Sequence, residues 1–176
     1  MFGLFRRRTH ERAGFALYNE AVRAARDPFF YTGLGVPDTL DGRFDLVGLH
    51  VFLLIDRLRA EPQPGPLLAQ AVFDAMFADM DFNLREMGVG DMSVAKRNKE
   101  MWEAFHGRSK AYEAALADGT LADVLSRNVW RGTAPPGAPE DLAGLVLAAR
   151  AVLAALPLAT FAAGSLRFPD VARVPA

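Results

Sequence analysis

The side chains able to do chemistry in this chain fall into a few sets, and none has the spacing of a recognisable reaction centre. His50 stands in a strongly apolar run, with Arg57 two turns further along the same face. A metal site there would require a second histidine or a carboxylate one helical turn away, and His50-x-x-x-Leu54 does not supply it. The plain reading is a core histidine whose hydrogen bonds are satisfied. His10 and His106 add no pattern. Asp74, Asp79, Asp81, Glu86 and Asp91 form an acidic surplus, but a two-metal bundle would need Glu-x-x-His pairs, and the sequence has none. Lys96, Arg97, Lys99, Arg108 and Lys110 follow on the next predicted helix, so cross-helix ion pairing accounts for both groups. There is no phosphate-binding glycine loop, dinucleotide fingerprint or nucleophile elbow. The absence of cysteine removes thiolate nucleophiles, thiolate zinc sites and disulfides. No catalytic residue, metal or cofactor is therefore expected, and the chain is not read as an enzyme. A net charge of −1 gives no field that would attract nucleic acid.

The elements that carry these residues are all helical. Glu11 to Arg26 keeps Phe15, Tyr18, Ala21, Val22 and Ala25 at helical spacing. Asp27 to Asp45 reads as a long connection, too apolar for a free linker and expected to pack on the core. Leu46 to Ala60 is apolar nearly all round, the mark of a central helix. Leu67 to Met87 and Ser93 to Asp118 each hold one apolar stripe. Gly88-Val89-Gly90-Asp91 between them predicts a tight antiparallel hairpin, with Gly88 left-handed and Asp91 or Ser93 capping the second helix. Gly107 inside that second helix reads as close packing. Thr120-x-x-Asp123 has the pattern of a capping box. Leu142 to Leu156 forms a last helix, interrupted by Arg150 and Pro157 before it is long enough to span a bilayer. The fold class is all-α: a single-domain irregular bundle of about six to eight helices around Leu46–Ala60. Residues 1–10 read as a basic-apolar tail, 11–163 as the helical domain and 164–176 as a C-terminal tail.

The N-terminus lacks a secretory signal, and a cytoplasmic location is expected. Phe2, Leu4 and Phe5 precede Arg6, Arg7 and Arg8. That order predicts weak peripheral contact with an anionic membrane surface, on the inner face of the cell membrane.

A set of short motifs adds a resemblance. Tyr31 is followed by Val36-Pro37-Asp38-Thr39 and Gly42-Arg43-Phe44-Asp45, then by Leu49-His50 and Arg57-Leu58. Asp79-Met80-Asp81, Leu84-Arg85-Glu86 and Gly88-Val89-Gly90-Asp91 come next. Phe105-x-Gly107-Arg108 and Ala111-Tyr112 close the series. In this order and spacing the chain resembles the ubiquinol–cytochrome c chaperone family, most of all a bacterial member, over residues 14 to 118 with a weaker extension to Trp130. The resemblance implies an assembly chaperone for respiratory complex III that holds newly made cytochrome b, or its apolar helices, without metal or nucleotide. It also implies a partner assembly factor, as in the family's mitochondrial roles. The client surface is expected beside the hairpin, at Asp81, Arg85, Asp91, Phe105, Arg108 and Tyr112, with His50 close by. Aromatic and methionine side chains would supply contact area, and the arginines orientation. A lipid- or quinone-like small-molecule binding module at the membrane surface is the second reading.

Overall fold

The structure is a computed structural model that describes residues 2–171, with side chains from residue 9 onward. The side chains of Phe2, Leu4, Phe5, Arg6, Arg7 and Arg8, named above for membrane contact, lie outside the described residues. Among the described residues eight helices follow one another: α1 Phe2–Ala25, α2 Pro28–Thr32, α3 Leu40–Arg59, α4 Gly65–Glu86, α5 Asp91–Asp118, α6 Leu121–Val129, α7 Ala138–Ala155 and α8 Leu158–Ala162. No strand occurs among the described residues.

The expected central helix is central. Helix α3 touches α1, α4, α5, α6 and α7. Leu46, Leu49, Phe52, Leu54 and Leu58 on it are all buried, and each such side chain contributes roughly 1.5–3 kcal/mol by leaving water. The helix starts earlier than the sequence suggested, because Thr39 accepts a hydrogen bond from the Gly42 N–H at 3.1 Å and caps it. The expected long connection is correspondingly shorter. Asp27 caps α2 by accepting from the Phe29 N–H at 2.9 Å. The rest of the connection packs inward as expected, with Phe30, Leu34 and Val36 buried and the Trp130 indole donating to the Gly35 carbonyl at 3.2 Å. Helix α1 begins at Phe2 rather than Glu11, and its buried stripe runs through Leu17, Tyr18, Ala21 and Ala25, leaving Phe15 46% exposed.

The hairpin forms where predicted. Gly88 has φ +76°. The Val89 N–H reaches the Leu84 carbonyl at 3.1 Å and the Gly88 N–H the Arg85 carbonyl at 2.9 Å, the paired bonds of a Schellman stop. The expected Asp91 or Ser93 cap is absent. Gly90 is the N-cap of α5 and no side chain closes it, because the Asp91 carboxylate turns back to Arg85. The Thr120 capping box is not made either: the Thr120 hydroxyl donates to Asp118 at 2.6 Å instead.

The expected C-terminal tail is a strap as far as Val171. Leu166 and Phe168 are buried. Glu20, itself buried, accepts from the Phe168 N–H at 2.8 Å, from Arg167 at 2.6 Å and from Arg23 at 2.7 and 2.8 Å. Burial opposes charge on Glu20, but these donors outweigh it and hold its carboxyl below the usual range. Arg57 serves the end of α7, donating to the Leu153 and Leu156 carbonyls at 2.9 and 3.1 Å. No helix among the described residues is long and apolar enough to cross a membrane.

Two glycines are needed for different reasons. A Cβ on Gly88 meets nothing within 4 Å, so its cost is backbone strain alone; Gly88→Val should destabilise by about 1–2 kcal/mol. A Cβ on Gly14 would lie 2.6 Å from the Ala71 backbone of α4, so Gly14→Val should cost more, about 3 kcal/mol, by forcing α1 off α4. Urea unfolding of the two variants measures the order.

Candidate functional site

The residues singled out in the sequence divide into a buried set and a surface set. His50, Phe105 and Tyr112 are core residues. This corrects the expectation that they meet a client: Phe105 packs at a tilt of 55° against Phe73 at 5.8 Å, and Tyr112 at 52° against Phe52 at 5.3 Å. Arg108 is also turned inward. Its Nη1 lies 2.7 Å from Oδ1 of Asp45, whose side chain is fully enclosed, and its guanidinium stacks over Phe44. Arg131, in the turn after α6, donates to Oδ2 of the same carboxylate at 2.8 Å. The contact from Arg108 is a charge contact outside hydrogen-bond geometry, whereas the one from Arg131 is a hydrogen bond. Burial pushes the Asp45 carboxyl above its usual range, against the pull of both arginines. Burial likewise raises the Tyr112 hydroxyl to about 12.

His50 is the core histidine the sequence suggested. Its Nδ1 lies 2.8 Å from the Leu46 carbonyl, and Phe30 and Phe168 meet its ring edge-on at 5.7 and 5.0 Å. The carbonyl can only accept, so Nδ1 carries the proton. Burial lowers its pKa to about 4, and it is neutral in the fold.

Asp81, Arg85 and Asp91 stay at the surface. Arg85 Nε donates to Asp81 at 2.7 Å and its Nη1 to Asp91 across the turn. Asn98 of α5 donates to the other Asp81 oxygen at 2.8 Å. That is the cross-helix link. The expected cross-helix pairing of the lysines is not made: Lys96 and Lys99 face Glu100 and Glu103 on their own helix at 3.9 and 3.8 Å, distances at which exposed pairs contribute little.

Beside this hairpin lies an open groove of about 1310 Å³ between α1, α3, α4 and α5. Val22, Phe44, Val47, Met80, Leu84 and Met101 form its apolar floor, and Arg26, Asp38, Arg43, Glu86, Lys96 and Arg97 its rim. Tyr18 closes one wall by donating to Asp79 at 2.7 Å. Met87, 57% exposed, stands at its edge. None of the seven client-surface residues proposed from sequence lines this groove. The sequence signal for the groove was the half-apolar stretch Arg43-Phe44 and the methionines; the signal for the buried network was Asp45, a lone acid inside an apolar run, which requires an enclosed cation. Among the described residues no cluster of three His, Asp or Glu side chains could hold a metal ion.

The family profile described as Ubiquinol-cytochrome C chaperone matches residues 32–168, so the likeness extends well past Trp130, where the motifs had ended. The chain is 31% identical over 120 residues to Protein CBP3, mitochondrial, of Saccharomyces cerevisiae, covering 65% of this chain and 36% of that protein. It is 23% identical over 121 residues to Ubiquinol-cytochrome-c reductase complex assembly factor 1 of Xenopus laevis, covering 68% of this chain and 58% of that one. The chain thus matches between about a third and three fifths of these relatives' lengths. The crystal structure of the Cbp3 homolog from Brucella abortus superposes with a TM-score of 0.84 at 37% identity, over 99% of both chains.

Two outcomes test the buried groups. Arg108→Ala should cost about 3 kcal/mol by stranding Asp45, and Arg131→Ala, half exposed, about 1 kcal/mol or less. Both losses should shrink in an Asp45→Asn background, as urea unfolding would show. For His50, the unfolded ring takes up a proton below about pH 6.5 while the folded one resists to about 4. Its contribution is therefore full above pH 6.5 and falls away as the pH drops towards 4, by about 3 kcal/mol. A His50→Leu variant should show a flatter stability profile between pH 7 and 4.

Proposed function

We propose that this chain, which belongs to the ubiquinol–cytochrome c chaperone family, is an assembly chaperone for the ubiquinol–cytochrome c reductase complex. In this reading it holds an apolar helix of newly made cytochrome b in the groove between α1, α3, α4 and α5. The observation that carries the reading is the groove's size and chemistry. At about 1310 Å³ it exceeds the roughly 300–1,000 Å³ of small-molecule pockets, which favours a stretch of polypeptide over a single lipid or quinone-like molecule. An apolar floor suits the apolar face of such a helix, and charges of both signs at the border suit the polar residues that flank it. Methionines on floor and edge adapt to varied apolar surfaces.

The action is passive. The groove covers an apolar helix until its partner subunits arrive, and no bond is made or broken. Peripheral contact of residues 2–8 with an anionic membrane would bring the groove to clients entering the bilayer. A partner assembly factor, of the kind family members work with, fits the same reading.

Reversing exposed rim charges tests it without touching the core. Lys96→Glu with Arg97→Glu, combined with Met87→Ser, should leave the protein folded and normally abundant. In cells lacking the native gene, this variant should yield less than about half the wild-type level of assembled complex III, since interface energy concentrates in a few contacts. Normal assembly by that folded variant contradicts the groove as the client site.

A further inference from the structure

A second crevice, of about 440 Å³, opens on the opposite side of α5, between the C-terminal half of α3 and the N-terminal half of α4. It shares no residue with the client groove. Its walls are aromatic. Trp102 and His106 stack face to face at 4.1 Å with 22° between their planes, and Phe73 meets His106 edge-on at 5.9 Å. Trp102 is 45% exposed at the opening, whereas Trp130, the chain's other tryptophan, is buried. A Trp ring exposed at the edge of an apolar cleft is a poor use of a core residue and a good surface for stacking.

Two polar atoms on this lining are shut from solvent with no hydrogen-bond partner: His106 Nδ1 and Ser109 Oγ. Such atoms are few in native proteins and call for a partner. At the mouth stand Arg59 and Lys110, both exposed. Neither meets a carboxylate among the described residues, and Glu113 is the one acid on the lining. The volume falls within the roughly 300–1,000 Å³ of small-ligand pockets, which combine apolar walls with a few convergent polar groups.

We infer that this crevice is a binding site for a small, flat aromatic molecule carrying one anionic group. The ring lies against Trp102 and Phe73, its polar substituent meets His106 and Ser109, and the anion rests at Arg59 and Lys110. The site is independent of the client groove and of the assembly role.

The test uses the full chain and 8-anilinonaphthalene-1-sulfonate as probe, with amide chemical shifts mapping the site and titration giving the affinity. Saturable one-to-one binding is expected, with shifts centred on residues 59, 73, 102, 106 and 110. Arg59→Glu with Lys110→Glu should weaken it by about tenfold, as should Trp102→Ala. The groove variant Lys96→Glu with Arg97→Glu should bind as the wild type does. The uncharged analogue N-phenyl-1-naphthylamine should bind about tenfold more weakly. Shifts centred on the client groove, equal binding of the neutral analogue, an affinity unmoved by the Arg59 and Lys110 changes in a variant of native circular dichroism, or capture of aromatic peptides with no binding of the probe would each overturn the assignment.

Discussion

The arrangement turns on one enclosed carboxylate. Asp45 sits on the central helix with its side chain wholly out of water, and two cations from distant parts of the chain come to it, Arg108 from α5 and Arg131 from the turn after α6. A lone buried charge is costly, so the three segments are bound to one another's positions. Arg131 adopts φ +57° to make the contact, a left-handed conformation that a non-glycine residue keeps only when its surroundings hold it. The triad does not have to exceed an apolar substitute in stability to matter. It fixes which face of α5 turns to α3, and that register decides where α5 leaves the bundle.

The groove follows from that placement. Helix α5 is held at Asp45 near its middle and tied to α4 through Asn98 and Asp81 closer to its start. The Schellman stop at Gly88 sets the hairpin's opening. Between these fixed points the first half of α5 stands away from α1 and α3, and Val22, Val47 and Met101 face one another across open space. On the opposite side, the same stand-off leaves the aromatic crevice around Trp102. The charged strap contacts at Glu20 and the Arg57 contacts at the end of α7 lock the far side of the bundle, so the apolar openings lie around the one long helix that the core holds least closely.

Much of this was legible in the sequence, for reasons that can be named. The central helix was visible because its apolar residues run all round, and the hairpin because Gly88 has a local reason to be glycine. His50 was readable as a core residue because no ligand spacing surrounds it. The surface residues were read less well. Phe105, Arg108 and Tyr112 belong to recurring motifs, but motifs record packing as readily as recognition, and the periodicity of α5 does not say which neighbour each face meets. Arg108 could be placed only by knowing that Asp45 lies opposite, a pairing across more than sixty positions of sequence. The C-terminal strap was unreadable for the same reason: Leu166 and Phe168 have no helical period, and Glu20 and His50, the partners of Phe168, are far away in the chain. Caps failed where a stronger local acceptor or donor competed, Arg85 for Asp91 and Asp118 for Thr120.

Site-specific photocrosslinking in native membranes tests most directly whether the groove beside α5 receives a helix of cytochrome b. A photoreactive residue replacing Met101, on the groove floor, should yield an adduct with newly made cytochrome b, while one replacing Leu147, on the exposed face of α7, should not. An adduct from position 147 with none from position 101, in folded proteins of equal abundance, would contradict the account.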